Sequence, residues 1–82
     1  MLTRDEVLFC RSLVGSRAAQ YGYDVYRIDA NADGKSYRIE LTSPVEGKRT
    51  VLLTVFEDAL AATLREGKLA EAIALNLDNE LR

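Results

Sequence analysis

Tyr26-Arg27-Ile28-Asp29-Ala30-Asn31-Ala32-Asp33-Gly34-Lys35-Ser36-Tyr37-Arg38-Ile39-Glu40-Leu41 is the stretch that decides the fold. Tyr26, Ile28 and Ala30 alternate with their neighbours before Asn31-Ala32-Asp33-Gly34, and Tyr37, Ile39 and Leu41 alternate after it. Alternation is the period of a half-buried strand. Asn, Asp and Gly tolerate the positive φ of a tight turn. Pairing the two runs about that turn puts all six apolar residues on one face. A shift of register by two residues keeps this result and a shift by one destroys it. The stretch predicts a β-hairpin with one buried face.

Towards the N-terminus, Thr3-Arg4-Asp5-Glu6 fits a capping box, in which the threonine hydroxyl and the glutamate carboxylate each accept from a free amide at a helix start. Val7, Leu8, Val14, Ala18 and Tyr21 recur at helical spacing, with Phe9 and Leu13 widening the stripe. Gly22 suits the left-handed end of such a helix, which predicts a helix from about residue 4 to 21.

Towards the C-terminus, Pro44 and Gly47 break the ladder, and Thr50 to Phe56 reads as a third strand rich in β-branched residues. Thr54 and Glu57 repeat the capping-box spacing, so a helix is expected to start there, with Phe56, Ala59, Leu60, Thr63 and Leu64 as its inner stripe. Gly67 either caps this helix before another or sits inside a long one at a cost of ~1 kcal/mol. Two helices are the favoured reading, the second striped by Leu69, Ile73, Asn76, Leu77 and Leu81. The expectation is one α+β domain over residues 1–82: an N-terminal helix, a three-stranded antiparallel sheet, and a C-terminal helix or helix pair on one face of the sheet.

At 82 residues and 48% hydrophobic the chain can bury a core, and a domain this small leaves self-association open. Its net charge of −2 lacks the positive excess of a general nucleic-acid or acidic-membrane binder. The single cysteine, Cys10, permits no internal disulfide, and with no histidine there is no Cys/His cluster for zinc. The N-terminus lacks the basic start and apolar run of a secretion signal, and no apolar run approaches the ~18–20 residues of a membrane span. A soluble cytoplasmic protein, with no membrane association, is expected.

Residues 29–40 resemble the calcium-binding loop of an EF-hand. Asp29, Asn31 and Asp33 fall at its first, third and fifth positions, Gly34 at the sixth and Glu40 at the twelfth. The resemblance implies side-chain oxygens converging on a calcium ion between two helices. The flanks read as strand instead, Ser36 stands where a hydrophobic residue belongs, and no second loop exists. Glu40 would lie well up the second strand, out of reach of the tip. The hairpin turn is the preferred reading, with no metal and no cofactor.

The order helix, three strands, helix resembles the double-stranded-RNA-binding domain at the level of topology. That resemblance implies contacts from the first helix, where Arg4 and Arg11 share a face, from the first hairpin loop and from the start of the last helix. Here the loop carries Asp29 and Asp33, and the helix opens with Glu57-Asp58, which also suit the positive end of a helix. Two of the three regions have the wrong sign for phosphate, so nucleic-acid binding ranks second.

The predicted register leaves Val25, Arg27, Arg38, Glu40, Thr50 and Leu52 on the outer face of the sheet. Arg27 and Arg38 lie opposite or diagonal, where like charges repel unless an anionic group is near, and Glu40 could supply one. Arginines beside apolar residues are a common interface composition, so Arg27, Arg38, Val25, Leu52 and Thr50 are the candidate binding residues.

Catalysis has little to stand on. No histidine offers a general base, Cys10 reads as a buried inert thiol, and the adjacent carboxylates at helix starts have a capping role. No catalytic residue is assigned. Leu69, Ala72, Ile73, Leu75, Leu77 and Leu81 spread over more than one helix face, so the last helix either packs between others or buries a face against a second copy, with Asn76 able to set register there. The leading function is a non-enzymatic protein–protein interaction or regulatory module, an adaptor or inhibitor of a larger protein. RNA binding and calcium binding are the alternatives.

Overall fold

A computed structural model describes residues 1–82. The elements are α1 (Arg4–Ala19), β1 (Asp24–Ala30), β2 (Ser36–Thr42), β3 (Val51–Phe56), α2 (Glu57–Glu66) and α3 (Glu71–Leu81). The strands form an antiparallel sheet in the order β1-β2-β3. All three helices pack on one face of it, the α+β arrangement expected, with the C-terminal segment divided into a pair.

The capping box at the start of α1 forms: Glu6 N–H donates to Thr3 Oγ1 at 3.2 Å and Thr3 N–H to Glu6 Oε1 at 2.8 Å. The helix ends at Ala19, a little earlier than predicted, and Gly22 at φ 80° turns the chain into β1. Its buried line is Cys10, Val14 and Ala18, while Leu8 and Phe9 stay exposed. The line therefore runs through small side chains at a spacing of four. They seat the helix close to the sheet, and a Cβ on Gly15 would lie 3.9 Å from Val25 Cγ2.

In the hairpin, Ile28 pairs with Ile39 and Ala30 with Tyr37, as the alternation requires. A β-bulge between Val25 and Arg27 then breaks the predicted pattern. Tyr26 is the extra residue, so Val25 pairs with the buried Leu41 and turns inward, and Tyr26 is 60% exposed. The expectation that Tyr26 packs inward and Val25 outward is corrected by this one residue of bulge. Ala30 is exposed at the tip of the hairpin despite its inward parity.

β3 starts at Val51, leaving Thr50 outside the ladder, and runs directly into α2. The predicted Thr54–Glu57 capping box does not form. Thr54 stays in the strand, Phe56 is the N-cap without a side-chain bond, and Glu57 N–H donates to Lys35 O at 2.8 Å. Phe56 follows strand parity, not helical parity, and is 65% exposed instead of lying in the inner stripe of α2.

Gly67 closes α2 at φ 70°, its N–H donating to Thr63 O at 3.0 Å. The buried Thr63 hydroxyl accepts from Ala70 N–H at 3.0 Å and donates to Ala59 O at 3.0 Å, so it ties the start of α3 to the inside of α2. The inward strand residues meet Val14, Leu60, Ile73 and Leu77 in one core. Burying each Leu or Ile there contributes about 1.5–3 kcal/mol. No helix is long and apolar enough to cross a membrane.

One polar cluster joins α1 to α3. Arg17 Nε and Nη2 both donate to the Asp78 carboxylate, the first at 2.9 Å, and Tyr21 Oη donates to Asp78 Oδ1 at 2.8 Å. The Arg17 bonds first and the Tyr21 hydroxyl second hold the Asp78 carboxyl down at about 2.

Candidate functional site

The helices leave the other face of the sheet bare. Strand pairing arranges it in rows: Arg27, Glu40 and Leu52 lie side by side, then Asp29, Arg38 and Thr54, then Phe56 beside Ser36, which is itself buried. Alternation puts Arg27, Arg38 and Leu52 there, as predicted. The bulge takes Val25 off this face, half-buried against the core, and Thr50 is exposed before β3 begins.

Carboxylates are interleaved with the two arginines, Glu40 as anticipated and Asp29 besides, so the like charges are compensated within the chain. Arg27 Nε lies 3.2 Å from Asp29 Oδ2 and its Nη2 3.6 Å from Glu40 Oε1, and Arg38 Nη2 lies 3.8 Å from the same Asp29 oxygen. Two guanidinium groups and two carboxylates make a mosaic with no net charge. Exposed pairs of this kind are worth about 0–1 kcal/mol each, so the network shapes the surface more than it stabilises the fold.

Around the mosaic stand Tyr26, Leu52 at 59% exposure and Phe56, three large apolar side chains open to solvent. The Arg27 guanidinium lies 5.7 Å from the centroid of the Tyr26 ring, a cation–π contact that carries the bulged residue onto this face. Tyr26 and Phe56 were not among the residues picked from the sequence. The signal for Phe56 was present: Val51, Leu53 and Val55 fix strand parity and set Phe56 with Leu52 and Thr54. For Tyr26 the signal was weaker, since Val25 and Ile28 are both apolar and three apart, which plain alternation cannot satisfy.

The loop resembling an EF-hand is a hairpin tip between strands, not a linker between helices. Asp33 Oδ1 accepts from Lys35 N–H at 2.8 Å and from Ser36 N–H at 3.0 Å, while Oδ2 accepts from the Ser36 hydroxyl at 2.9 Å. These bonds, the one from Lys35 first, lower the Asp33 carboxyl below its ordinary value. Asn31 Nδ2 donates to Ser36 Oγ at 2.9 Å, and Gly34 takes φ 70°. The letters that matched a calcium loop are thus used in closing a turn. Asp29 and Glu40 belong to the ion network on the sheet, and Glu40 is four residues along β2 from Ser36, roughly 13 Å at strand rise. No three Asp, Glu or Cys side chains come together in a metal-binding group.

Cys10 is buried, its Sγ 3.7 Å from Leu60 O. Desolvation, with a smaller contribution from the charge of Glu6, pushes its thiol up, away from the thiolate a nucleophile needs. Arg11, one of the two helix arginines in the RNA-binding comparison, donates to Val25 O at 2.9 Å and so is engaged with the edge of β1. No protein-family model, no curated protein and no solved structure matches the chain.

Proposed function

We propose that the chain is a non-catalytic protein-interaction module, an adaptor or inhibitor, that recognises its partner with the bare face of the sheet. The observation that carries this reading is the composition of that face. A charge-balanced mosaic of Arg27, Arg38, Asp29 and Glu40 is bordered by the exposed Tyr26, Leu52 and Phe56. Aromatic residues and arginine are enriched where proteins meet. The interleaved carboxylates fix the polarity of the surface, so a partner must present the complementary order of charges, which favours specificity over affinity. A polyanion finds no positive excess there, which ranks nucleic acid second.

The test is capture of partners from lysate on the tagged chain, with nuclease, using wild type beside Arg27→Glu/Arg38→Glu and beside Phe56→Ser. A protein retained by wild type after nuclease and lost from both variants is the expected result. A partner lost on nuclease treatment would move the assignment to nucleic acid. Equal retention by all three chains would remove the sheet face from the account.

A further inference from the structure

β3 is an edge strand with nothing along its free side. Glu57 N–H bonds to Lys35 O directly across the ladder, and antiparallel hydrogen bonding repeats every second residue. Val51, Leu53 and Val55 therefore direct their N–H and C=O groups to β2, whereas those of Leu52 and Thr54, and the Phe56 N–H, point away from the sheet. No turn, loop, cap or side-chain hydrogen bond reaches any of these outward groups. The strand has no charged residue, proline or bulge from Val51 to Phe56. Such an edge is a template for another strand.

The surface beside the edge is of the same kind. A shallow groove of about 160 Å³ runs between Thr54, Val55 and Phe56 on one side and Ala72, Ile73 and Asn76 of α3 on the other. The flank of α3 there is uncharged, with Ala72, Leu75 and Asn79 open to solvent and Asn76 half-buried beside them.

The ends of the strand choose the occupant. Lys48-Arg49 precedes the uncharged run and Glu57-Asp58 follows it, so the segment reads basic, apolar, acidic. Laid antiparallel on itself about Leu53, it places the basic end of each copy beside the acidic end of the other. Leu52 then faces Thr54 of the second copy, and Arg49 faces Glu57. Arg49 has no ion-pair partner within the chain, and Glu57 meets only the exposed N-terminal ammonium, at 3.5 Å. A parallel strand, or an antiparallel one with the opposite charge order, would bring like charges together.

We propose that two copies of this chain join through β3 about a twofold axis to form a continuous six-stranded sheet. The α3 flanks close over the groove beneath the joint. The two bare faces become one, with Leu52 of both copies at its centre. The edge pairing stands independently of the partner-binding reading above, and only the use of the joined face depends on it.

Sedimentation equilibrium over a dilution series up to about 1 mM tests the pairing, with circular dichroism to verify that each variant is folded. Wild type is expected to dimerise. Leu52→Lys/Thr54→Lys, which sets lysines opposite one another across the joint while touching only exposed positions, weakens the dimer at least about tenfold. Arg49→Glu weakens it too, and adding Glu57→Lys, at the position Arg49 faces in the second copy, restores it. Arg27→Glu/Arg38→Glu leaves dimerisation intact, so failure of the bare-face reading and failure of this one are separable. A wild-type chain monomeric throughout, or a folded lysine variant that dimerises as before, would overturn the proposal. So would an edge that accepts only an extended peptide from another protein.

Discussion

The two edges of the sheet are built on opposite plans. β1 carries Asp24, Arg27 and Asp29, is kinked by the bulge at Tyr26, and has Val25 O bonded to the Arg11 guanidinium from α1. Charge, bulge and cover are the devices by which proteins keep an edge from pairing. β3 has none of them over its six residues. Both edges flank the same central strand and share one core. The contrast leaves β3 as the edge without devices against pairing and β1 as the edge that carries them. Since the helices leave one sheet face bare, pairing at β3 would also enlarge that face.

The supports of the two edges are tied together by Asp78, and the largest effect is expected there. Asp78→Asn leaves the Arg17 guanidinium without its counter-charge, loosening α1, which guards β1, from α3, which flanks β3. The variant should melt below wild type at pH 7. The folded carboxyl titrates at about 2, lowered from 3.8, so its contribution is complete above about pH 4 and is lost as the pH falls through 2. Melting curves of the two chains should therefore converge between pH 4 and 2, and a constant gap would remove the carboxylate from the account.

The bulge that closes β1 gives the next effect. Val25→Ala should cost about 1–2 kcal/mol by denaturant unfolding, because the side chain packs on the core. Tyr26→Ala should stay within about 0.5 kcal/mol, because that ring is in solvent. The reverse order would mean that β1 keeps the regular alternation, without a bulge.

A smaller effect follows from uncovering β1. Arg11→Met removes the donor to Val25 O and should cost about 1 kcal/mol. If β1 is closed by its bulge and charges as well as by Arg11, the variant keeps the oligomeric state of wild type. A new, larger assembly would show that the single arginine is the guard.

How much of this was legible in the sequence depended on how local the deciding signal was. The hairpin could be read because turn residues and alternation agree, and the N-terminal cap because Thr3 and Glu6 lie within one turn. Gly67 marked the break between α2 and α3. Arg27, Arg38 and Leu52 were assigned to the outer face correctly because parity alone decides them. Val25 was misplaced because a bulge inserts one residue without any glycine to announce it. The Thr54–Glu57 spacing misled because a strand ladder had prior claim on Thr54. Asp78 left no trace in the helical stripe, since its partners Arg17 and Tyr21 lie on another helix far along the chain. The carboxylates that neutralise the sheet arginines became visible only once the register was known.

Amide hydrogen exchange, followed residue by residue along β3 at low and high protein concentration, decides whether that edge is open and pairs with a second copy. In dilute solution the amides of Leu53 and Val55, bonded to β2, should be protected, and those of Leu52 and Thr54 should exchange fast. At high concentration Leu52 and Thr54 should become protected while the β1 edge amides of Ile28 and Ala30 do not change. Protection of Leu52 and Thr54 that is the same at every concentration would contradict the claim that β3 is the open edge.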